Sequence, residues 1–158
     1  MKAFLRFVWF PGVILSLVFF WLWLDRRLGW RGPHYPTLGF LLVVAGSLLA
    51  SWCNLLFMDI GKGTAHPFTA KTKHLVIAGP YRYVRNPMMW GVGAILTGLA
   101  LWIGSLGLWF GFAMLVLFLS LFVPYYEEPD MERRFGEEYR EYCRRVPRWI
   151  PRFVRRPK

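Results

Sequence analysis

Two stretches of this chain carry residues able to do chemistry. The first is Gly79-Pro80-Tyr81-Arg82-Tyr83-Val84-Arg85-Asn86-Pro87-Met88-Met89-Trp90-Gly91. Its Asn-Pro step biases Asn86 away from helix and lets Pro87 begin one. Unbonded N–H groups at a helix start, with Arg82 and Arg85 beside them, make a natural hold for an anionic group. Taken alone, a loop of this kind is more often a structural helix start than a binding site. The second stretch is Glu127-Glu128-Pro129. Seven of the nine acidic residues fall between Glu127 and Glu141, and most suit a solvated helix face. Glu127 and Glu128 differ, because they stand where a long apolar run ends. A carboxylate pair is costly there unless a cation or a hydrogen-bond donor meets it.

The elements between the two stretches decide whether they can meet. Charge stops at Arg85 and resumes only at Glu127. One helix of that length would measure about 60 Å, twice the hydrocarbon thickness of a bilayer. The run must therefore fold back, and Gly104-Ser105-Leu106-Gly107 is the turn. A helical hairpin brings Arg85-Asn86-Pro87 and Glu127-Glu128 to the same end. The bland outcome is a salt bridge that pins the hairpin. The functional outcome is a site for a small zwitterion bearing an ammonium and a carboxylate. Tyr81, Tyr83, Trp90 and Tyr126 would stand nearby, and aromatic faces suit a sulfonium or quaternary ammonium.

The rest of the chain fits an all-α integral membrane protein. It is 56% hydrophobic and 19% aromatic over 158 residues, too apolar for an ordinary soluble domain. Only helices or closed barrels satisfy their backbone in lipid, and the two-residue alternation of a barrel is missing. About four transmembrane helices are expected, over residues 7–24, 38–58, 87–104 and 107–126. The first starts like a signal peptide but offers no small-residue cleavage site, so it is expected to stay, kinked near Pro11-Gly12. Asn54, polar within the second span, is expected to bond a neighbouring helix more often than a ligand. A C-terminal cytoplasmic amphipathic helix is expected over 129–145, with Met131, Phe135, Tyr139 and Tyr142 on one face. Residues 146–152 read as an extended basic tail for anionic headgroups.

The formal charge of +11 raises nucleic acid as a partner, but its distribution does not. With four spans and both termini in the cytoplasm, inner segments hold 17 of the 20 basic residues, and only Arg26, Arg27 and Arg31 lie outside. That pattern sets the orientation and leaves nucleic acid without support; a prokaryotic inner (plasma) membrane, with both termini and the site cytoplasmic, is the expected location. His34, His66 and His74 lack metal-ligand spacing, so no metal is expected. Gly61-Lys62-Gly63-Thr64 lacks the spacing of a phosphate loop. Cys53 and Cys143 are too differently placed for a disulfide. No ionisable residue near a span centre marks a transport pathway. The many glycines leave a homodimer open.

The runs Gly-Pro-Tyr-Arg-Tyr-Val-Arg-Asn-Pro (79–87), Glu-Glu-Pro (127–129) and Phe-Gly-Glu-Glu-Tyr…Val-Pro (135–147) resemble the isoprenylcysteine carboxyl methyltransferase superfamily. Asn-Pro-Met-x-Trp-Gly and Tyr-Glu-Glu-Pro equally resemble its relatives, the phospholipid N-methyltransferases. The resemblance covers residues 73–152 as a catalytic core, within a single membrane domain of 1–158. It implies methyl transfer from S-adenosylmethionine to a lipophilic, membrane-resident acceptor such as a phospholipid amine. Carried over residue by residue, cofactor contacts fall on Lys73, His74, Leu75, Val76, Tyr81, Asn86, Pro87, Met88, Met89, Glu127 and Glu128. Arg85, with the helix start at Asn86, would hold the cofactor carboxylate, and Glu128 or a tyrosine would help deprotonate an amine. Arg85 and Glu128 are thus the catalytic candidates.

The departures are specific. Lys73-His74 stands where a carboxyl methyltransferase has His first. Asn86 replaces a common His, although Asn is usual in the phospholipid branch, and Met89 replaces a frequent Tyr. Val123 stands where relatives carry an arginine assigned to substrate, which removes an anchor for a prenylcysteine carboxylate. An isoprenylcysteine-type carboxyl O-methyltransferase is therefore the alternative enzyme. A non-catalytic membrane protein retaining the fold is the alternative from another class.

Overall fold

The computed structural model describes residues 16–62 and 72–151. Among these residues every regular element is helical, with no strand. Helix α1 covers residues 16–28, and α2 is Pro36–Asp59. A 3-10 turn at Gly79–Arg82 precedes α3, Pro87–Ile103, and α4 is Leu106–Phe122. A π-helical turn at Val123–Glu127 leads into α5, Glu128–Phe135, and then α6, Glu137–Arg145. The Pro11-Gly12 kink, the start of the first expected span, His66 and the last basic residues lie outside the described residues.

Two helical runs are long and apolar enough to cross a membrane, Pro36–Asp59 and Leu106–Phe135. Their most apolar windows have mean hydropathies of 2.0 and 2.4 and are only 11% and 17% buried. A core helix of a soluble protein would be mostly covered, so these faces suit lipid. The 17 residues of α3 place it at the short limit for a span.

The described residues divide into two compact units, 16–48 with 91–120, and 49–62 and 72–90 with 121–151. In the first, small residues let backbones touch. A Cβ on Gly39 would sit 2.6 Å from the Gly98 carbonyl oxygen, and one on Gly98 would sit 2.7 Å from the Gly39 oxygen. The turn between α3 and α4 falls at the expected Gly104-Ser105, with Gly104 at φ 71°. Buried Asp25 at the end of α1 organises this turn. It accepts the Ser105 hydroxyl and the Gly107 N–H at 2.8 Å, while Ser105 Oγ accepts the Leu108 N–H at 3.0 Å and caps α4.

The second unit holds two apolar clusters. Cys53, Val76 and Tyr81 pack with Leu56, Phe57 and Met88. Leu75, Tyr139, Tyr142 and Val146 pack with Met131, Phe135 and Cys143. The expected apolar face of the C-terminal helix is therefore real, but the single helix over 129–145 is not. Gly136, at φ 56° and ψ −127°, breaks it into α5 and α6. That backbone region is open essentially to glycine alone.

A second correction concerns the start of this segment. No break separates the expected fourth span from the helix after it, because the helical run continues from Leu106 to Phe135. Pro124 has no N–H to give the ladder. The helix absorbs the defect by widening, and the Glu128 N–H reaches back five residues to the Val123 oxygen. One inserted residue turns everything beyond it by about 100° around the axis.

Candidate active site

The loop leading to α3 is built around Tyr81. Its ring is buried against Phe57, edge to face at 5.2 Å between centroids, and its carbonyl accepts the Tyr142 hydroxyl at 2.8 Å. Leu75 and Val76, just before the 3-10 turn, are buried on the same loop. Pro87 starts α3 as the Asn-Pro step requires, and Asn86 offers its carbonyl to the Met89 N–H at 3.2 Å.

The expected meeting of the two motifs occurs. Glu128 Oε1 accepts from Arg85 Nη1 at 2.8 Å and from Arg148 Nε at 2.6 Å, while Oε2 accepts from Arg148 Nη2 at 2.7 Å. The Arg148 fork is bidentate, the geometry in which arginine–carboxylate pairs are strongest. The Arg85 and Glu128 side chains are 12% and 17% exposed. Removing one member would strand the other in a poorly hydrated place, at a cost of about 3–5 kcal/mol. These bonds to Glu128 hold the Arg148 guanidinium above its usual pKa.

Two groups beside this network are left over. Arg85 Nη1 also lies 2.8 Å from Cys143 Sγ, yet Arg85 Nε is buried and has no acceptor. Among the described residues no cation pairs with Glu127. A buried donor and a carboxylate without a partner are what a polar ligand would satisfy.

Residues 146–151 are not the extended segment the sequence suggested. They turn back along the start of α3. Arg85 N–H donates to the Pro147 oxygen at 2.9 Å, Asn86 Nδ2 to the Arg148 oxygen at 3.3 Å, and Trp90 Nε1 to the Trp149 oxygen at 2.8 Å. The reason is local: this loop has backbone and side-chain donors to spend, and the strap supplies carbonyls.

A cavity of about 70 Å³ lies among these elements. Of the candidate residues, Leu75, Val76, Tyr81, Arg85, Asn86, Met88, Met89, Glu127 and Glu128 form its wall. Lys73 and His74 do not; both are exposed, and the Lys73 N–H is taken by the Gly61 oxygen at 2.7 Å. Pro87 is fully buried and serves as the helix start rather than as wall. Val123 is part of the wall, so the position that carries arginine in relatives is apolar here. Asn54 is exposed and stays out of it.

Sequence reasoning missed Phe57, Met131, Tyr139 and Tyr142 as wall residues. The last three were legible as an apolar stripe, but nothing said what the stripe faces. Burial pushes the phenols of Tyr81, Tyr139 and Tyr142 above their ordinary pKa. A second, open cleft of about 510 Å³ shares Arg85, Glu128 and Tyr139 with the cavity and adds Arg140, Arg144 and Arg148.

The family model described as phospholipid methyltransferase matches residues 35–138, well over half of the chain. An uncharacterized protein of Haemophilus influenzae is 38% identical over 56 residues, which is 35% of this chain and 89% of that protein. No solved structure matches the chain. The family match takes in both motifs, from α2 through Tyr81, Arg85, Asn86, Glu127 and Glu128 to the start of α6. This chain belongs to the phospholipid methyltransferase family.

Proposed function

We propose that the protein transfers a methyl group from S-adenosylmethionine to a lipophilic, membrane-resident acceptor, a phospholipid amine or a similar small molecule. The observation that carries this reading is the presence, in one cavity wall, of the Glu127 carboxylate, which no cation among the described residues pairs, and of the buried Arg85 Nε, which has no acceptor among them. The donor set fits the cofactor's polar groups. Glu127 suits an ammonium or ribose hydroxyls, and Arg85 Nε suits a carboxylate. The thioether and aromatic wall of Met88, Met89, Met131 and Tyr81 suits a sulfonium. A nucleoside-sized ligand needs several hundred cubic ångströms, so the wall must part to admit it.

When bound, S-adenosylmethionine supplies an already activated methyl group. The protein's tasks are then to hold the acceptor in line and to keep water out. The apolar side chains of Leu75, Val76 and Val123 serve the second task. An amine acceptor must first lose a proton. Glu128 is a poor base because its oxygens already accept three bonds from arginine, which leaves Glu127 as the free carboxylate. A carboxylate acceptor would need no base, but Val123 leaves it no cation at that position. The open cleft, with its arginines, suits the phosphate of a lipid headgroup. Four spans, with the site and both termini facing the cytoplasm of a prokaryotic inner membrane, complete the reading.

A second reading, a non-catalytic membrane protein, draws on one observation: Arg85, Glu128 and Arg148 satisfy one another without any ligand. Titration of S-adenosylmethionine and S-adenosylhomocysteine into lipid-reconstituted protein separates the two. Saturable binding that Glu127→Ala abolishes, with unchanged melting, is the expected result. Absence of binding by folded wild type would favour the second reading.

A further inference from the structure

Arg148 belongs to no motif and lies on the strap, yet it makes more bonds to the paired-acid motif than Arg85 does. Its fork occupies both Glu128 oxygens. The same strap gives its three successive carbonyls, at Pro147, Arg148 and Trp149, to Arg85, Asn86 and Trp90. Arg85 is thereby held at two points, by its N–H to the strap and by Nη1 to Glu128, and its buried Nε is the donor left over.

We infer that Arg148 is a positioning residue for the cofactor site. By pairing with Glu128 it withdraws that carboxylate from ligand binding and fixes the Arg85 guanidinium. It also locks the 146–151 strap over the start of α3. The two adjacent acids thus divide their work: Glu127 meets the ligand, and Glu128 is the hub of the clamp. The Arg148–Glu128 pair parts to admit a nucleoside-sized ligand and re-forms over it, so this clamp governs how long the ligand stays. The inference rests on the methyltransferase reading for the identity of that ligand.

The test uses full-length protein in lipid nanodiscs and S-adenosylhomocysteine as the probe. Arg148→Ala is expected to weaken binding about tenfold, mainly through faster dissociation, since a bidentate charge-assisted pair is lost. Arg148→Lys, which keeps the charge but not the fork, recovers part of the loss. The double variant Arg148→Ala/Glu128→Gln should lose less than the sum of the two single losses, because the pair acts as a unit. Hydrogen exchange over residues 84–90 of ligand-free protein supplies an independent arm, and it speeds up in Arg148→Ala. Additive losses in the double variant, or unchanged exchange, would overturn the clamp. A wild type that binds no probe would overturn the methyltransferase reading instead, and the exchange arm would still decide the clamp.

Discussion

Glu127 and Glu128 are neighbours in sequence with different surroundings, and the difference is measurable. Glu128→Gln removes the charge that two guanidiniums share, so its main effect is on the fold. We expect a loss of about 3–5 kcal/mol, read as a lower melting temperature. Glu127→Gln removes a carboxylate that no cation among the described residues pairs, so melting should barely move while cofactor affinity falls. Melting curves and binding isotherms for both variants check the contrast. The buried tyrosines give a second prediction. The Tyr142 phenol donates to the Tyr81 carbonyl, and burial raises its pKa. Folded protein keeps this proton at a pH where the unfolded chain has lost it. Stability from Tyr81, Tyr139 and Tyr142 is therefore full below about pH 10 and falls as pH rises above it. At neutral pH, Tyr142→Phe should cost about 1 kcal/mol for the lost bond. The gap to wild type should close above about pH 10, in melts run at successive pH values.

At the scale of elements, two glycines test two kinds of constraint. Nothing lies within 4 Å of a Cβ built on Gly136, so Gly136→Ala costs only backbone strain at φ 56°. We expect about 1–3 kcal/mol and loosening of α6. Gly98 has ordinary φ, but its Cβ would meet the Gly39 oxygen at 2.7 Å and the Val43 nitrogen at 2.8 Å. Gly98→Ala must therefore push α2 and α3 apart, also at about 1–3 kcal/mol. Thermal melts give both costs, and exchange over α6 distinguishes them. These glycines also show what the sequence could tell. Gly104 announced its turn because an uncharged run of that length had to reverse. Gly136 sits in an otherwise helical pattern of apolar and paired residues, and periodicity alone reads through it. Pro124 and Pro129 looked like a break, but a π turn accommodates Pro124, and the helical run continues through Pro129. The meeting of Arg85 with Glu128 followed from hairpin logic. The part played by Arg148 did not, since a basic residue near the end of a basic tail carries no signal of its partner.

Family membership and two long apolar helices mark a membrane-associated methyltransferase. What the whole molecule leaves to experiment is the number of crossings, and α3 decides it. Its 17 residues rise about 26 Å, slightly less than the hydrocarbon thickness. Arg27 precedes α2, whereas Arg144 follows α4 on the exposed, salt-bridged face of α6. If α2, α3 and α4 all cross, the crossings between these two arginines are odd in number and the residues face opposite sides. If α3 lies within the interface, they face the same side. The positive-inside pattern favours the first outcome, because Arg26, Arg27 and Arg31 are few against the basic residues after Arg133. With Cys143→Ser as background and Cys53 fully buried, single cysteines at Arg27→Cys and Arg144→Cys can be probed with a membrane-impermeant thiol reagent. In right-side-out vesicles only Arg27→Cys should react, and in inverted vesicles only Arg144→Cys. Labelling of both from one side would remove α3 as a crossing. It would also leave Arg85 and Glu128 to meet without the folded-back spans that the charge-free run implies.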